Sequence, residues 1–120
     1  MSDKQNLWIV VSGLMGFLGV ALGAFGAHGL ESHLSVKMME TYRTGVLYHL
    51  IHNLALLSLA FFGNYRFIPV CWFFLFGIIL FSFSLYAYSI FQIRFFAILT
   101  PFGGICFLIG WALIVYYALK

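Results

Sequence analysis

Long runs of apolar residues, separated by short polar stretches, form the dominant pattern of this chain. Four such runs occur, at 7–29, 44–62, 67–91 and 101–119. Each run is close to the roughly 20 residues that an apolar helix needs to cross the hydrocarbon core of a bilayer. The pattern therefore predicts an all-α integral membrane protein with four transmembrane spans.

The connections between the runs carry the signals that begin and end helices. Ser35 is suited to cap a helix, so the polar segment 35–43 is expected to be a helical linker near the membrane interface. Gly63 is typical of a helix end. Pro69, and Thr100 followed by proline, are typical of helix starts. Because the connections are short, neighbouring spans should run in opposite directions, which predicts an antiparallel four-helix transmembrane bundle.

Composition limits what else the chain can contain. Hydrophobic residues make up 64% of the 120 residues and charged residues 8%, whereas about a quarter of a soluble domain is charged. A single transmembrane domain, 1–120, is expected, with the lipid bilayer as its surroundings. The excess of six Lys and Arg over three Asp and Glu is small and scattered, so a nucleic-acid partner is not expected.

Membrane orientation is not decided by the basic residues of the short loops. Three of them fall on each side of the predicted membrane: Lys4, Arg66 and Lys120 against Lys37, Arg43 and Arg94. We favour a cytoplasmic location for both termini, because they are short and then need no translocation.

Glycines in the first run follow helical spacing. Gly16, Gly19, Gly23 and Gly26 alternate by three and four residues and so share one helix face. The pattern favours close packing against a second helix, either within the chain or between copies. A ligand groove, formed where side chains are missing, is the alternative.

The second run contains an intramembrane polar group. His49, His52 and Asn53 share one helix face. They are candidates for interhelical hydrogen bonds, for a pocket that holds a lipid or quinone head group, for a proton relay, or for metal or haem ligation. No Cys, Asp or Glu accompanies them in the run, so neither a metal site nor a cofactor is expected.

Antiparallel connectivity brings further polar residues and glycines to the same leaflet. The helical rise places His52 about level with Gly23 of the first run, where a bare glycine would permit close approach. The candidate ligand-binding residues of this leaflet are His28, His49, His52, Asn53, Ser84, Tyr86, Thr100, Gly103 and Gly104. The N-terminus of the fourth helix would favour an anionic or carbonyl-bearing guest there.

Four motifs resemble one family of membrane proteins. They are GAFGAH at 23–28, Tyr48 with His52, FSFSLY at 81–86, and TPFGG at 100–104 followed by Gly110-Trp111. In order and spacing they are similar to the small bacterial YgdD-like inner-membrane proteins. The resemblance implies a four-span protein of the bacterial inner membrane and implies no particular activity.

The sequence lacks recognisable groupings of catalytic residues, which limits the functions that it supports. It shows no nucleophile with an orienting base and no paired carboxylates, so an enzyme is not expected. The glycine face favours a structural or accessory membrane protein, with assembly as a homo-oligomer or within a larger membrane complex left open. A binding protein or carrier for a small lipophilic or anionic molecule is the alternative.

Overall fold

The computed structural model describes residues 2–120, which form four long helices. They are α1 (Asp3–Gly29), α2 (Val36–Phe62), α3 (Tyr65–Phe91) and α4 (Arg94–Leu119). Each has 26 or 27 residues and an apolar stretch long enough to cross a membrane. No β-strand is present among the described residues. The predicted all-α, four-span membrane fold is confirmed.

Several helix ends follow the signals in the sequence. The Ser35 hydroxyl accepts a hydrogen bond of 3.1 Å from the backbone N–H of Met38, which caps the start of α2. At the end of α2, Gly63 has φ 76°, a left-handed conformation that glycine adopts without strain. Its N–H donates to the carbonyl of Leu59 at 3.1 Å. The tight turn into α3 follows directly.

The predicted linker is continuous with a span, and one helix start differs from its prediction. Residues 36–43 are helical, with Ser35 as their cap, and they continue without a break into the rest of α2. Their place at the membrane interface stays a prediction. The prediction that Thr100 and proline open the fourth helix was wrong, because α4 begins at Arg94 and Pro101 lies inside it. The Thr100 hydroxyl bonds back to the carbonyl of Phe96 at 3.1 Å. Such local bonds and neighbouring helices let a membrane helix tolerate proline.

The third helix changes its winding along its length. It starts as a 3₁₀ turn (Tyr65–Phe67), continues as α-helix (Ile68–Gly77), widens to a π-helix (Ile78–Phe83) and returns to α-helix (Ser84–Phe91). The π-helix is packed against α2 and α4. Segments of this kind occur often at functional sites.

The helices α2 and α3 form the centre of the bundle, with α1 packed on α2 and α4 packed on α3. Near the end that carries the termini, an apolar cluster joins α1, α2 and α3 through Trp8, Leu56, Ala60 and Cys71. A second cluster joins α3 to α4. Most buried polar side chains lie further from that end, before Leu56 on α2 and after Ile78 on α3.

Candidate functional site

The glycine face of α1 lies against α2 of the same chain. A Cβ atom added to Gly19 would lie 2.7 Å from Leu50 Cδ2 and 3.2 Å from His49 Nε2. The other three glycines meet Asn53 (from Gly16), Val46 (from Gly23) and Tyr42 (from Gly26). This face is therefore used for packing within the bundle, and α2 occupies it along most of its length.

His49 is fully buried and connects three helices. Its Nε2 lies 2.8 Å from the carbonyl oxygen of Met15 on α1, and its Nδ1 lies 2.8 Å from the Tyr86 hydroxyl on α3. Because a carbonyl can only accept, Nε2 carries the proton, and in the neutral ring Nδ1 accepts from the Tyr86 hydroxyl. The surroundings thus fix one neutral tautomer and use both nitrogens.

His52 points to a different neighbour and has the opposite tautomer. Its Nδ1–H donates to the Tyr48 carbonyl at 2.9 Å, and its Nε2 accepts from the Trp111 indole of α4 at 2.9 Å. Its ring stacks on Phe107, with ring centroids 3.6 Å apart. The expectation that His52 lies opposite Gly23 was wrong, because that face of α2 turns towards α4. His49 is the histidine that meets a glycine of α1.

Asn53 ties α2 to the first half of α1. Its side-chain Nδ2 donates to the backbone carbonyl of Ser12 at 2.8 Å, directly beside the bare backbone of Gly16. Its Oδ1 is buried and has no hydrogen-bond partner, and the buried hydroxyl of Ser82 also has none. Among the side chains of residues 2–120, these two oxygens are the buried polar atoms without a hydrogen-bond partner.

A second polar group joins α3 to α4. The hydroxyls of Ser84 and Thr100 lie 2.7 Å apart, and Ser84 also bonds to the carbonyls of Leu80 and Phe81. Gly103 meets the backbone of α3 at this level, since an added Cβ would lie 2.7 Å from the carbonyl carbon of Leu80. The glycine lets α4 lie directly on the π-helix.

The nine candidate ligand-binding residues do not form one group. His49, His52, Asn53 and Tyr86 lie within the bundle around α2. Ser84, Thr100 and Gly103 belong to the contact between α3 and α4, and Gly104 makes only an ordinary contact with the Phe81 ring at 3.8 Å. His28 is exposed at the end of α1. Ligand binding by these residues stays a prediction.

Sequence reasoning missed several residues that hydrogen-bond to or pack on the candidate residues. Trp111 supplies the donor to His52, and the Tyr42 hydroxyl donates to the Leu22 carbonyl at 2.6 Å. Aromatic rings also lie closely on glycines of neighbouring helices, among them Tyr42 on Gly26, Tyr86 on Gly45, Phe107 on Gly77, and Phe74 on Gly110. The available signal was the indole N–H of Trp111, which needs an acceptor in an apolar region.

The geometry indicates what the polar interior can do. A proton relay through His49 would end at the Met15 carbonyl, and one through His52 would end at the Tyr48 carbonyl. Metal ligation would require breaking an existing bond to free a ring nitrogen. Among residues 2–120, no three His, Cys, Asp or Glu side chains are grouped so that they could hold a metal ion. The arrangement directly supports hydrogen bonding between helices.

Comparison with known proteins identifies the family. Residues 22–104 match the family model described as "Protein of unknown function (DUF423)". The chain is 40% identical to the UPF0382 membrane protein YwdK of Bacillus subtilis, over 97% of this chain and 98% of that protein. The chain belongs to this family. It is also 40% identical to the UPF0382 inner membrane protein YgdD of Escherichia coli, over 97% of this chain and 92% of that protein.

A third relative extends the family match. The chain is 38% identical to a UPF0382 membrane protein of Staphylococcus epidermidis, over 97% of this chain and 98% of that protein. No solved structure matches the chain. The resemblance to the YgdD-like proteins is thus confirmed, and this UPF0382 protein is a multi-pass protein of the bacterial inner membrane, surrounded by lipid.

Proposed function

We propose that this UPF0382 protein is a structural or accessory component of the inner membrane and not an enzyme. One observation carries the proposal: both ring nitrogens of His49 and of His52 form hydrogen bonds inside the bundle. Histidine acts as an acid or base through a nitrogen that can reach a substrate. Here the nitrogens hold α1, α3 and α4 against α2, which supports a structural role.

The outer surfaces of the bundle are consistent with an accessory role. Only 17% of the apolar stretch of α1 and 17% of that of α4 is buried within the chain. These outer helices therefore offer their remaining faces to lipid or to another membrane protein. Association with a second copy, or with a larger complex, is the form that we propose for this role.

A binding function is the second candidate, because the interior contains buried oxygens without a hydrogen-bond partner. Asn53 Oδ1 has no partner in the interior, and such an orphaned atom calls for a water or a donor on a guest. A guest approaching from the α4 side would first have to displace the indole of Trp111 from His52. The compact packing around the histidines favours the structural role over this one.

The experiment that tests the proposal is native mass spectrometry of the protein released from lipid nanodiscs, combined with identification of co-purifying proteins and small molecules. We expect a stoichiometric protein component, either a second copy or another membrane protein, and no reproducible small-molecule guest. The matched variant is His52→Leu, which changes the interior and leaves the outer faces of α1 and α4 intact. It should retain the protein component.

The opposite result would overturn the structural role. A small molecule bound at one per chain in the unmodified protein, and absent from His52→Leu, would establish the binding function. Trp111→Phe serves as a second variant if His52→Leu does not fold, because it alters the same hydrogen bond and preserves a ring.

A further inference from the structure

A groove lies at the end of the bundle that carries the chain termini. It is bordered by the first turns of α1, the last turn of α2 and the start of α3. Its rim contains Lys4, Gln5 and Asn64, and its apolar wall contains Trp8, Ile68 and Cys71. The groove thus combines a cation and two amides with an apolar surface, at a position where a helical bundle meets lipid head groups.

Local structure explains why the groove is preformed. The Gln5 side chain folds onto the turn after α2, where its Nε2 donates to the Phe61 carbonyl at 3.2 Å. A Cβ on Gly63 would lie 2.6 Å from that Nε2, so the bare glycine makes room for Gln5. The α1 start is thereby attached to the α2–α3 turn, which fixes these two borders of the groove relative to each other.

One wall of the groove is held in place by aromatic packing. Trp8 is 7% exposed and contacts Trp72 of α3 edge to face, with ring centroids 4.9 Å apart. Trp8 lies four residues beyond Lys4, a distance of about 6 Å along the helix. The groove is therefore shallow, about one helical turn between the level of Lys4 and that of Trp8, so it can seat a phosphate and the atoms joined to it but not an acyl chain.

This end of the molecule is positively charged, and Lys4 is the basic residue that lines the groove. The residues beyond the apolar spans here include Lys4, Arg66 and Lys120 against one acid, Asp3. Tyr65 is 82% exposed at the groove, and the Lys120 ammonium lies 5.2 Å from the centre of the Tyr116 ring. Tyrosines and lysines at a helix end are typical of the membrane interface, where basic residues attract anionic lipids.

We propose that this groove binds the head group of an anionic phospholipid in the leaflet that surrounds the chain termini. The phosphate lies at the Lys4 ammonium and the Nδ2 of Asn64, whose Oδ1 accepts from the Arg66 N–H at 3.0 Å. The glycerol unit lies on Trp8 and Ile68. The lipid clamps the start of α1 to α3, and the site is independent of the role proposed above for the bundle.

The test compares two lipids with identical acyl chains, phosphatidylglycerol and phosphatidylcholine, by native mass spectrometry of the full chain in a non-ionic detergent. We expect one phosphatidylglycerol to be retained per chain in preference to phosphatidylcholine. Lys4→Gln should weaken retention of phosphatidylglycerol about fivefold, the factor expected for one basic residue at a membrane surface. Lys4→Arg should retain it.

A matched control is available at the other end of the bundle. Lys37 is also an exposed lysine in the first turn of a helix, and Lys37→Gln removes the same charge. It should leave retention unchanged. Ile68→Trp fills the groove without altering charge and should reduce retention, which separates binding in the groove from general attraction to a basic surface.

Three results would overturn the proposal. Equal retention of both lipids would remove the selection by charge. Equal losses in Lys4→Gln and Lys37→Gln would show an effect of net charge alone. Displacement of the lipid by millimolar glycerol phosphate would assign the site to a free phosphate compound. Because Lys4 and Lys37 are both exposed, these variants are expected to fold, and a melting curve verifies it.

Discussion

The indole N–H of Trp111 donates a hydrogen bond of 2.9 Å to Nε2 of His52. Trp111 is 45% exposed on the outer helix α4, whereas His52 is 4% exposed on the central helix α2. The bond therefore connects a lipid-facing residue to the polar interior. It also fixes the tautomer of His52, because a nitrogen that accepts this bond must leave the proton on Nδ1.

Trp111→Phe should destabilise the bundle, because it removes the donor and leaves His52 Nε2 buried without a partner. Hydrogen bonds between membrane helices average about 0.6 kcal/mol and reach about 1.7 kcal/mol. We expect a loss within that range in the free energy of unfolding, measured by reversible unfolding in mixed micelles.

The matched control for this bond is Trp72→Phe. Trp72 is similarly exposed, at 47%, and its contact with Trp8 is between rings. A double-mutant cycle of Trp111→Phe with His52→Leu should return a coupling energy of about 0.6 kcal/mol. A coupling of zero would contradict a role for this hydrogen bond.

Tyr86→Phe tests the connection between α3 and His49. The Tyr86 hydroxyl donates to Nδ1 of His49 at 2.8 Å, and both residues are buried. Removing the hydroxyl leaves that nitrogen unpaired, so we expect the unfolding free energy to fall by about 1 kcal/mol. Tyr88→Phe on the same helix is the control. Equal effects of the two variants would argue against the hydrogen bond.

Much of the fold could be predicted because a bilayer imposes a simple length rule. The four apolar runs correspond to α1–α4, and the caps at Ser35 and Gly63 follow from local hydrogen bonding. The start of α4 was predicted wrongly because Pro101 was taken as the first residue of a helix. In lipid, an unsatisfied backbone group costs so much that the helix continues through proline with local compensation.

The sequence predicts which residues belong to the candidate site, but it does not predict which residues they contact. Helical spacing placed His49 and His52 on one face, yet the two rings turn to different helices, towards α1 and α3 in one case and α4 in the other. The rotation of α2 about its own axis determines which neighbouring helix each ring meets. That rotation depends on how aromatic rings fit onto glycines of neighbouring helices, which spacing along a single helix does not specify.

Antiparallel connectivity predicts which loops share a side of the membrane. In a background with Cys71 and Cys106 replaced by alanine, cysteines at positions 32 and 93 should react with a membrane-impermeant reagent from one side. Cysteines at positions 3 and 65 should react from the other side. All four positions are exposed. Labelling of positions 32 and 65 from the same side would contradict the four-span arrangement. It would also contradict the placement of the groove in the leaflet that surrounds the chain termini.

Gly103→Ala and Gly104→Ala test how closely α4 lies on the π-helix of α3. A Cβ at Gly103 would lie 2.7 Å from Phe81 Cα, in the backbone of α3, which cannot move aside as a flexible side chain can. Overpacking of this kind costs about 1–3 kcal/mol, so Gly103→Ala should unfold at a clearly lower temperature.

Gly104 is the adjacent residue, and its added Cβ would come no nearer than 3.8 Å to the Phe81 ring. Replacing a glycine inside a helix by alanine gains about 0.5–1 kcal/mol when nothing obstructs it, so Gly104→Ala should unfold at the same or a higher temperature. If the two variants melt together, α4 does not rest on the backbone of α3, and the close contact at the π-helix is refuted.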